Sequence, residues 1–326
     1  MKLAILGAGA WGSALATSLA PQHAVTLWTR SLPDCEALER ERASRYLPGI
    51  RIPDTVRIEA DLARAVGGAQ AVIVATATAG LRPTLEALAA AGRTPDILWA
   101  CKGFETATGA LPHQVVEETL PPGTRAAALS GPSFALEVAR GQPTAVVLAS
   151  RDEAFAAESA AALNSSRLRV YSSDDLVGVE MGGALKNVIA IAAGICDGLS
   201  LGRNARAALV TRGLAEIARL GTAMGGRAET FAGLAGLGDL VLTCTGDLSR
   251  NREVGVRLAA GLALEAVLAE LGHVSEGVSS ARAAQAHARS HGVEMPITEA
   301  VCGVLFEGRA PRDAVQQLLA RDPRRE

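Results

Sequence analysis

Aromatic residues are scarce in this chain: three Trp, two Tyr and five Phe make up 3% of its 326 positions. Ala, Gly, Leu and Val dominate instead, which favours closely packed helices and buried strands over an all-β sandwich. A charge of one sign is also missing. Thirty-two basic and 34 acidic residues leave a net charge of −2, so nothing in the overall field attracts nucleic acid or an anionic membrane. Any bound anion must be caught by a local site. The five cysteines, Cys35, Cys101, Cys196, Cys244 and Cys302, are odd in number, and no pair has metal-ligand or redox spacing. Reduced thiols in a cytoplasmic protein are the expectation. No apolar run reaches the roughly 18 uninterrupted residues of a membrane span. Lys2 followed by LAILGAGAWGSALATSLA imitates a secretory signal, but three glycines interrupt it and no disulfide-bearing domain follows, so it reads as part of the fold. No Ser-His-Asp order or nucleophile elbow supports hydrolase chemistry. His287 and His291 stand at i, i+4 on a predicted helix, yet no carboxylate or thiol completes a metal site there, and none is expected.

What remains is 49% hydrophobic residues in a length that suits one large or two ordinary domains. In the first half, KLAILG, AVTLWT, AQAVIVAT, DILWACK, RAAALSG and TAVVLAS are short continuous apolar runs bounded by Gly, Pro, Thr or Ser. Such runs suit strands covered on both faces. Between them lie helical patterns such as WGSALATSLA, GLRPTLEALAAA and EAFAAESAAALN, and LRVYSS near residue 170 reads as one more strand. The alternation predicts an α/β, Rossmann-type doubly wound, mostly parallel sheet over residues 1–174. From Leu176 onward only helices are predicted, at 176–199, 203–224, 229–237, 250–260, 263–271, 276–291, 296–307 and 311–320, with breaks that include GLGDLVLTCTGDLS. An all-α C-terminal domain over 175–326 is the expectation, entered directly from the last strand.

Gly7-Ala-Gly9-Ala10-Trp11-Gly12 follows the first strand and opens a helix. Gly7 permits a tight turn, Gly9 lets the backbone approach a pyrophosphate, and Gly12 lets the helix pack closely on the strand. The helix N-terminus presents free N–H groups to the diphosphate. At the end of the second strand, where an acid would bind the ribose of NAD, the chain reads Thr29-Arg30-Ser31. Arg30 can pair with a 2′-phosphate, so NADP is favoured, with NAD also accommodated. A solvated surface arginine is the plainer alternative there.

Two lysines are candidates for chemistry. Lys102 follows the strand DILWAC, at the sheet edge where ligands of α/β folds bind. Lys186 lies with Asn187 in the apolar helix GGALKNVIAIAAG. Desolvation there makes an amine usable as proton donor and acceptor, although a snorkelling lysine fits the local sequence equally well.

Six motifs in order, GAGAWG (7–12), CKGFE (101–105), SGPSFA (130–135), ALKNVIAIAAGICDGLSLG (184–202), GLGDLVLTCTGDLSRNREVG (236–255) and VSEG (274–277), resemble bacterial NAD(P)-dependent glycerol-3-phosphate dehydrogenase over essentially the whole chain. The resemblance implies reversible hydride transfer between NAD(P)H and dihydroxyacetone phosphate, giving sn-glycerol 3-phosphate for phospholipid synthesis. It implies that Lys186 is the general acid and base, and that Lys102 hydrogen-bonds substrate and the cofactor side, with Asp239 and Asn187 in support. It further implies a phosphate pocket at Ser249, Arg250 and Asn251, and substrate contacts at Gly131 and Ser133. Cofactor contacts are implied at Gly7, Gly9, Ala10, Trp11, Gly12, Arg30, Lys102, Ala135, Arg250, Val274 and Glu276. Taken alone, Ser-Arg-Asn before a helix also reads as N-capping, Asp239 as a helix cap and Gly-Pro-Ser as turn chemistry. Ala10 and Trp11 depart from the Ser or Tyr types common in such proteins, which removes a side-chain hydrogen bond to the diphosphate at residue 10. The expected partners are the small-molecule substrates and, as an assembly, a homodimer; neither nucleic acid nor membrane is expected.

Overall fold

The computed structural model of the protein describes residues 1–92, 95–272 and 275–320. The chain divides into two compact units, Met1–Leu176 and Val177–Glu326.

The first unit is built on eight strands: β1 (Lys2–Leu6), β2 (Ala24–Trp28), β3 (Arg57–Glu59), β4 (Ala71–Val74), β5 (Asp96–Trp99), β6 (Ala126–Ser130), β7 (Thr144–Ala149) and β8 (Leu168–Ser173). They form one sheet in the order β3-β2-β1-β4-β5-β6-β7-β8. Reversal of the order on either side of β1 is the doubly wound arrangement. Neighbours run parallel except β6 and β7, which pair antiparallel through Ala128↔Ala149 and Ser130↔Val147. Apolar runs alone carry no strand direction, which is why the sequence shows the strands and not this reversal. Seven of the eight strands fall on the predicted runs. The eighth, β3, is three residues of mixed polarity, too short for periodicity to register. The helices are α1 (Ala10–Leu19), α2 (Leu32–Glu41), α3 (Leu62–Val66) and α4 (Leu81–Ala90), then α5 (Pro112–Thr119), α6 (Ala135–Ala139) and α7 (Glu153–Leu163). Leu3, Ile5, Val25, Leu27, Ile73, Leu98 and Leu129 are buried on the sheet with Leu15, Leu19, Phe155 and Leu163 from the helices, each such side chain contributing roughly 1.5–3 kcal/mol of transfer free energy.

The second unit has no strand among its described residues. Its helices are α8 (Leu176–Gly198), α9 (Gly202–Ala223), α10 (Ala228–Phe231), α11 (Asp239–Thr245) and α12 (Arg250–Ala259). They continue with α13 (Leu264–Leu271), α14 (Glu276–Ser290), α15 (Pro296–Phe306) and α16 (Pro311–Leu319). Two local expectations need correction. The stretch 229–237 is not one helix: α10 stops at Phe231 and a π-helical turn, Leu234–Gly238, follows. GLGDLVLTCTGDLS is not a break throughout, because Asp239–Thr245 is helical. The glycines of the lead-in hide a helix whose apolar residues would otherwise be read as one.

Helix α8 is apolar enough to span a bilayer, with mean hydropathy 1.5 over an 18-residue window, but 94% of that window is buried inside the protein. It is hydrophobic all round because the other helices surround it, the signature of a core helix. The same helix carries Lys186 and Asn187.

Candidate active site

In the first unit the glycine turn has the geometry that its sequence predicts. Gly7 adopts φ +117°, and a Cβ there would lie 3.0 Å from the backbone of Ala75 on the turn after β4. A Cβ on Gly12 would lie 1.8 Å from the Gly7 carbonyl oxygen, whereas one on Gly9 would meet nothing within 4 Å. The turn is therefore closed beneath and open above, over the N-terminus of α1, whose N-cap Gly9 supplies no side-chain cap. Uncapped N–H groups beside an open surface suit a diphosphate. The residues present thus fit a dinucleotide. Ala10 and Trp11 pack with Ala135 and Leu136 around Ala14, Leu47 and Val138, so Ala135 at the start of α6 lies beside the glycine turn. The Trp11 indole N–H is buried and has no hydrogen-bond partner among the described residues. Arg30, just past β2, is exposed and makes no ion pair among the described residues. Ser31 is occupied as the N-cap of α2, accepting from the Asp34 amide at 3.2 Å.

Lys102, Gly131 and Ser133 also meet. The Gly131 carbonyl accepts from Lys102 Nζ and from Ser133 Oγ, each at 2.9 Å. Gly131 holds φ +128°, and a Cβ would lie 3.0 Å from Val146 Cα, so only glycine lets the turn after β6 lie against β7. The loop bearing Lys102 is fastened by Glu105, which accepts from Arg82 Nε at 2.7 Å and Nη2 at 2.9 Å and from Thr108 Oγ1 at 2.7 Å. The Arg82 guanidinium holds the Glu105 carboxyl below the usual carboxylate range against its burial. This bidentate pair is the strong form of ion pair.

In the second unit, Gly182 and Lys186 stand at i, i+4 on one face of α8. A Cβ on Gly182 would lie 2.4 Å from the Ala235 carbonyl oxygen, so the missing side chain brings the π-helical turn against α8. That approach delivers Asp239, the first residue of α11, to Lys186. Lys186 Nζ donates to Asp239 Oδ1 at 2.5 Å and to Thr243 Oγ1 at 3.0 Å, and Thr243 Oγ1 donates to the Asp239 carbonyl at 2.6 Å. Lys186 is 7% exposed and Asp239 1%. A buried ammonium is costly unless a partner compensates its lost hydration, and Asp239 supplies that partner. Neither the snorkelling lysine nor the simple helix cap describes the pair. Burial pushes the neighbouring Cys244 thiol up to about 12, so it stays neutral; all five cysteines are free and buried.

Ser249, Arg250 and Asn251 lie at the start of α12 with different fates. Ser249 caps the helix, its Oγ accepting from the Arg252 amide at 3.3 Å. Arg250 is exposed, with no ion pair or hydrogen bond among the described residues. Asn251 joins three elements: Nδ2 donates to Asn187 Oδ1 at 2.9 Å, and Oδ1 accepts from the Gly277 amide at 3.0 Å and from Ser275 Oγ. Glu276, next to those two residues, opens α14. Val274 lies outside the described residues. His287, in the last turn of α14, and His291, its C-cap, have tilted rings with centroids 6.3 Å apart, and no cluster of metal ligands occurs among the described residues. Thr243 carries no motif of its own; its one sequence signal is its i, i+4 spacing from Asp239 on α11.

Comparison with known proteins gives a consistent result. A family described as NAD-dependent glycerol-3-phosphate dehydrogenase matches in two parts, its N-terminus over residues 2–156 and its C-terminus over residues 175–316. A glycerol-3-phosphate dehydrogenase [NAD(P)+] of Thiobacillus denitrificans is 58% identical over 327 aligned positions, covering 100% of both chains. The protein of the same name from Dechloromonas aromatica is 56% identical, over 100% of this chain and 99% of its own. The crystal structure of glycerol-3-phosphate dehydrogenase from Coxiella burnetii, 41% identical, superposes with a TM-score of 0.93 over 98% of this chain and 99% of that one.

Proposed function

The chain belongs to the NAD-dependent glycerol-3-phosphate dehydrogenase family and is an NAD(P)-dependent enzyme that interconverts dihydroxyacetone phosphate and glycerol 3-phosphate; from that premise we propose that Lys186 is its proton donor. The observation that carries this reading is the buried Lys186–Asp239–Thr243 cluster, with Nζ 2.5 Å from the carboxylate.

When bound, the reduced nicotinamide supplies the hydride that goes to C2 of the ketone. Lys186 Nζ gives a proton to the ketone oxygen as its charge develops, and takes it back in the oxidation direction. Asp239 and Thr243 orient the amine by accepting two of its N–H groups. Lys102 donates to the substrate oxygens, with Glu105 holding its loop, and Gly131 and Ser133 contribute further polar contacts. Arg250, which has no ion-pair partner among the described residues, grips the phosphate, aided by the buried Ser249. Asn251 acts chiefly as a brace, because three hydrogen bonds already engage its amide, while Asn187 keeps that brace beside Lys186.

The cofactor is held by the backbone of Gly7, Gly9, Ala10 and Gly12, by Trp11 and Ala135 beside them, and by Val274 and Glu276 at its edge. Arg30 favours NADP by pairing with the 2′-phosphate. We assign cofactor binding to residues 1–174 and substrate binding to 175–326, and assign substrate contacts to Lys102, Gly131 and Ser133 as well. A homodimer in the cytoplasm supplying phospholipid synthesis completes the reading; the five free, buried thiols support the compartment.

The test follows NADPH and NADH oxidation spectrophotometrically with dihydroxyacetone phosphate. Lys186→Met lowers kcat by about 10²–10⁴-fold, the range for a lost general acid, while NADPH binding, read by fluorescence, is retained. Wild-type turnover in that variant overturns the role.

A further inference from the structure

Helix α8 ends with an aspartate, Asp197, in its last turn. A carboxylate there is disfavoured by the helix dipole, so its presence calls for cations. Two arginines supply them. Arg206 of α9 donates from Nη1 to both Asp197 oxygens at 3.0 Å, and Arg252 of α12 donates from Nε to Oδ2 at 2.7 Å. Arg252 Nη1 also reaches Asp247 Oδ1 at 3.3 Å. Asp197 and Arg252 are each about four-fifths buried, with side-chain exposures of 19%. None of these residues belongs to the reaction described above.

Their placement matters because of how α12 meets α8. A Cβ on Gly194 would lie 1.9 Å from the Arg252 carbonyl oxygen, and one on Gly255 would lie 2.0 Å from the Ile191 carbonyl oxygen. The two helices therefore touch backbone to backbone, which fixes their separation around Gly194 and Gly255. Two polar fasteners set the first turn of α12, N-terminal to that contact: Asn251 to Asn187 at 2.9 Å and Arg252 to Asp197 at 2.7 Å. Residues i and i+2 of a helix are about 200° apart around its axis. Drawing Arg252 toward α8 thus turns Arg250 outward, where it is exposed and unpaired among the described residues.

We propose that Asp197, braced by Arg206, is a positioning residue for the substrate phosphate: it holds Arg252 so that Arg250 faces the ligand. The proposal rests on the reading of Arg250 as the phosphate cation. An aspartate with two guanidinium partners keeps Arg252 from competing for the phosphate while leaving Arg250 free to bind it.

The experiment compares kcat/KM for dihydroxyacetone phosphate with kcat/KM for dihydroxyacetone, which has the ketone and no phosphate. Asp197→Asn lowers the first by about tenfold or more, equivalent to about 1.4 kcal/mol, through KM, and leaves the second unchanged. NADPH binding is also unchanged. General loosening of the fold would depress both substrates together, and that result, or no change in either, overturns the proposal. Arg252→Lys, which keeps the charge but loses the Nε–H geometry, gives the same selective loss and serves if Asp197→Asn does not fold. Arg250→Ala separates the two readings. If it leaves the substrate ratio intact, the phosphate assignment fails. If it collapses the ratio while Asp197→Asn does not, only the positioning role fails.

Discussion

Replacing Glu216 by Gln removes a pH dependence from the stability of the helical unit. Glu216, on α9, is 2% exposed. It accepts from the Ile297 amide at 2.7 Å, and from the Thr298 amide and hydroxyl at 3.2 Å each, capping the first turn of α15. Burial outweighs those hydrogen bonds and pushes its carboxyl up to about 7 from 4.5. Between those values the native chain holds a proton that the unfolded chain has released. Stability is therefore highest below about pH 4.5 and is lost as pH rises through 7. At 1.36 kcal/mol per unit the full effect is about 3 kcal/mol, of which about 2.5 kcal/mol falls between pH 5 and pH 8. For a unit of this size that corresponds to about 5–10 °C in melting temperature. Gln keeps one acceptor and strands one N–H, so at pH 5, where the wild-type carboxyl is protonated, the variant is less stable by about 1–3 kcal/mol. The informative quantity is the gap between wild type and Glu216→Gln, measured by circular dichroism melts at pH 5 and pH 8. That gap narrows by about 5–10 °C at the higher pH. A constant gap refutes the assignment of a buried, titrating carboxyl.

Other expectations are simpler. Arg30→Ala raises KM for NADPH by about 10–100-fold, the worth of a charge-assisted contact, and leaves KM for NADH within about twofold; equal effects on both remove Arg30 from the 2′-phosphate site. Gly12→Ala, whose Cβ would lie 1.8 Å from the Gly7 carbonyl oxygen, abolishes NADPH binding by calorimetry while the helical unit keeps its melting transition. Thr243→Val removes a hydrogen bond that orients Lys186 and lowers kcat by about tenfold, at about 1–1.5 kcal/mol for the bond, with NADPH binding intact; an unchanged kcat removes Thr243 from the cluster.

Continuous apolar runs marked seven of the eight strands, because a sheet covered on both faces needs little else. They could not mark β3, whose Arg-Ile-Glu owes its pairing to β2 rather than to its own pattern. Nor could they show that β7 enters antiparallel, which depends on where α6 ends. The glycine turn was legible because each glycine answers a steric demand local to its neighbours. The lysine cluster was only half legible. Lys186 announces itself as a charge in an apolar helix, but Asp239 and Thr243 reach it through the contact of Gly182 with Ala235, which is tertiary. Asn251 shows the opposite difficulty: the motif marks it for substrate, while its amide also makes three hydrogen bonds, to Asn187, Ser275 and Gly277.

The burial of α8 also bears on biosynthesis. This helix is the first of its unit to leave the ribosome, and the backbone that shields Gly194 belongs to α12, which ends the next 57 or so residues. At 5–20 residues per second that interval lasts about 3–11 s. Throughout it a 23-residue segment with the hydropathy of a membrane anchor stands without its cover. Nascent-chain chaperones would find their natural target there, and so would a membrane insertion machinery. Lys186, the proposed proton donor, also places a charge in the middle of that segment, where insertion into lipid is most strongly opposed.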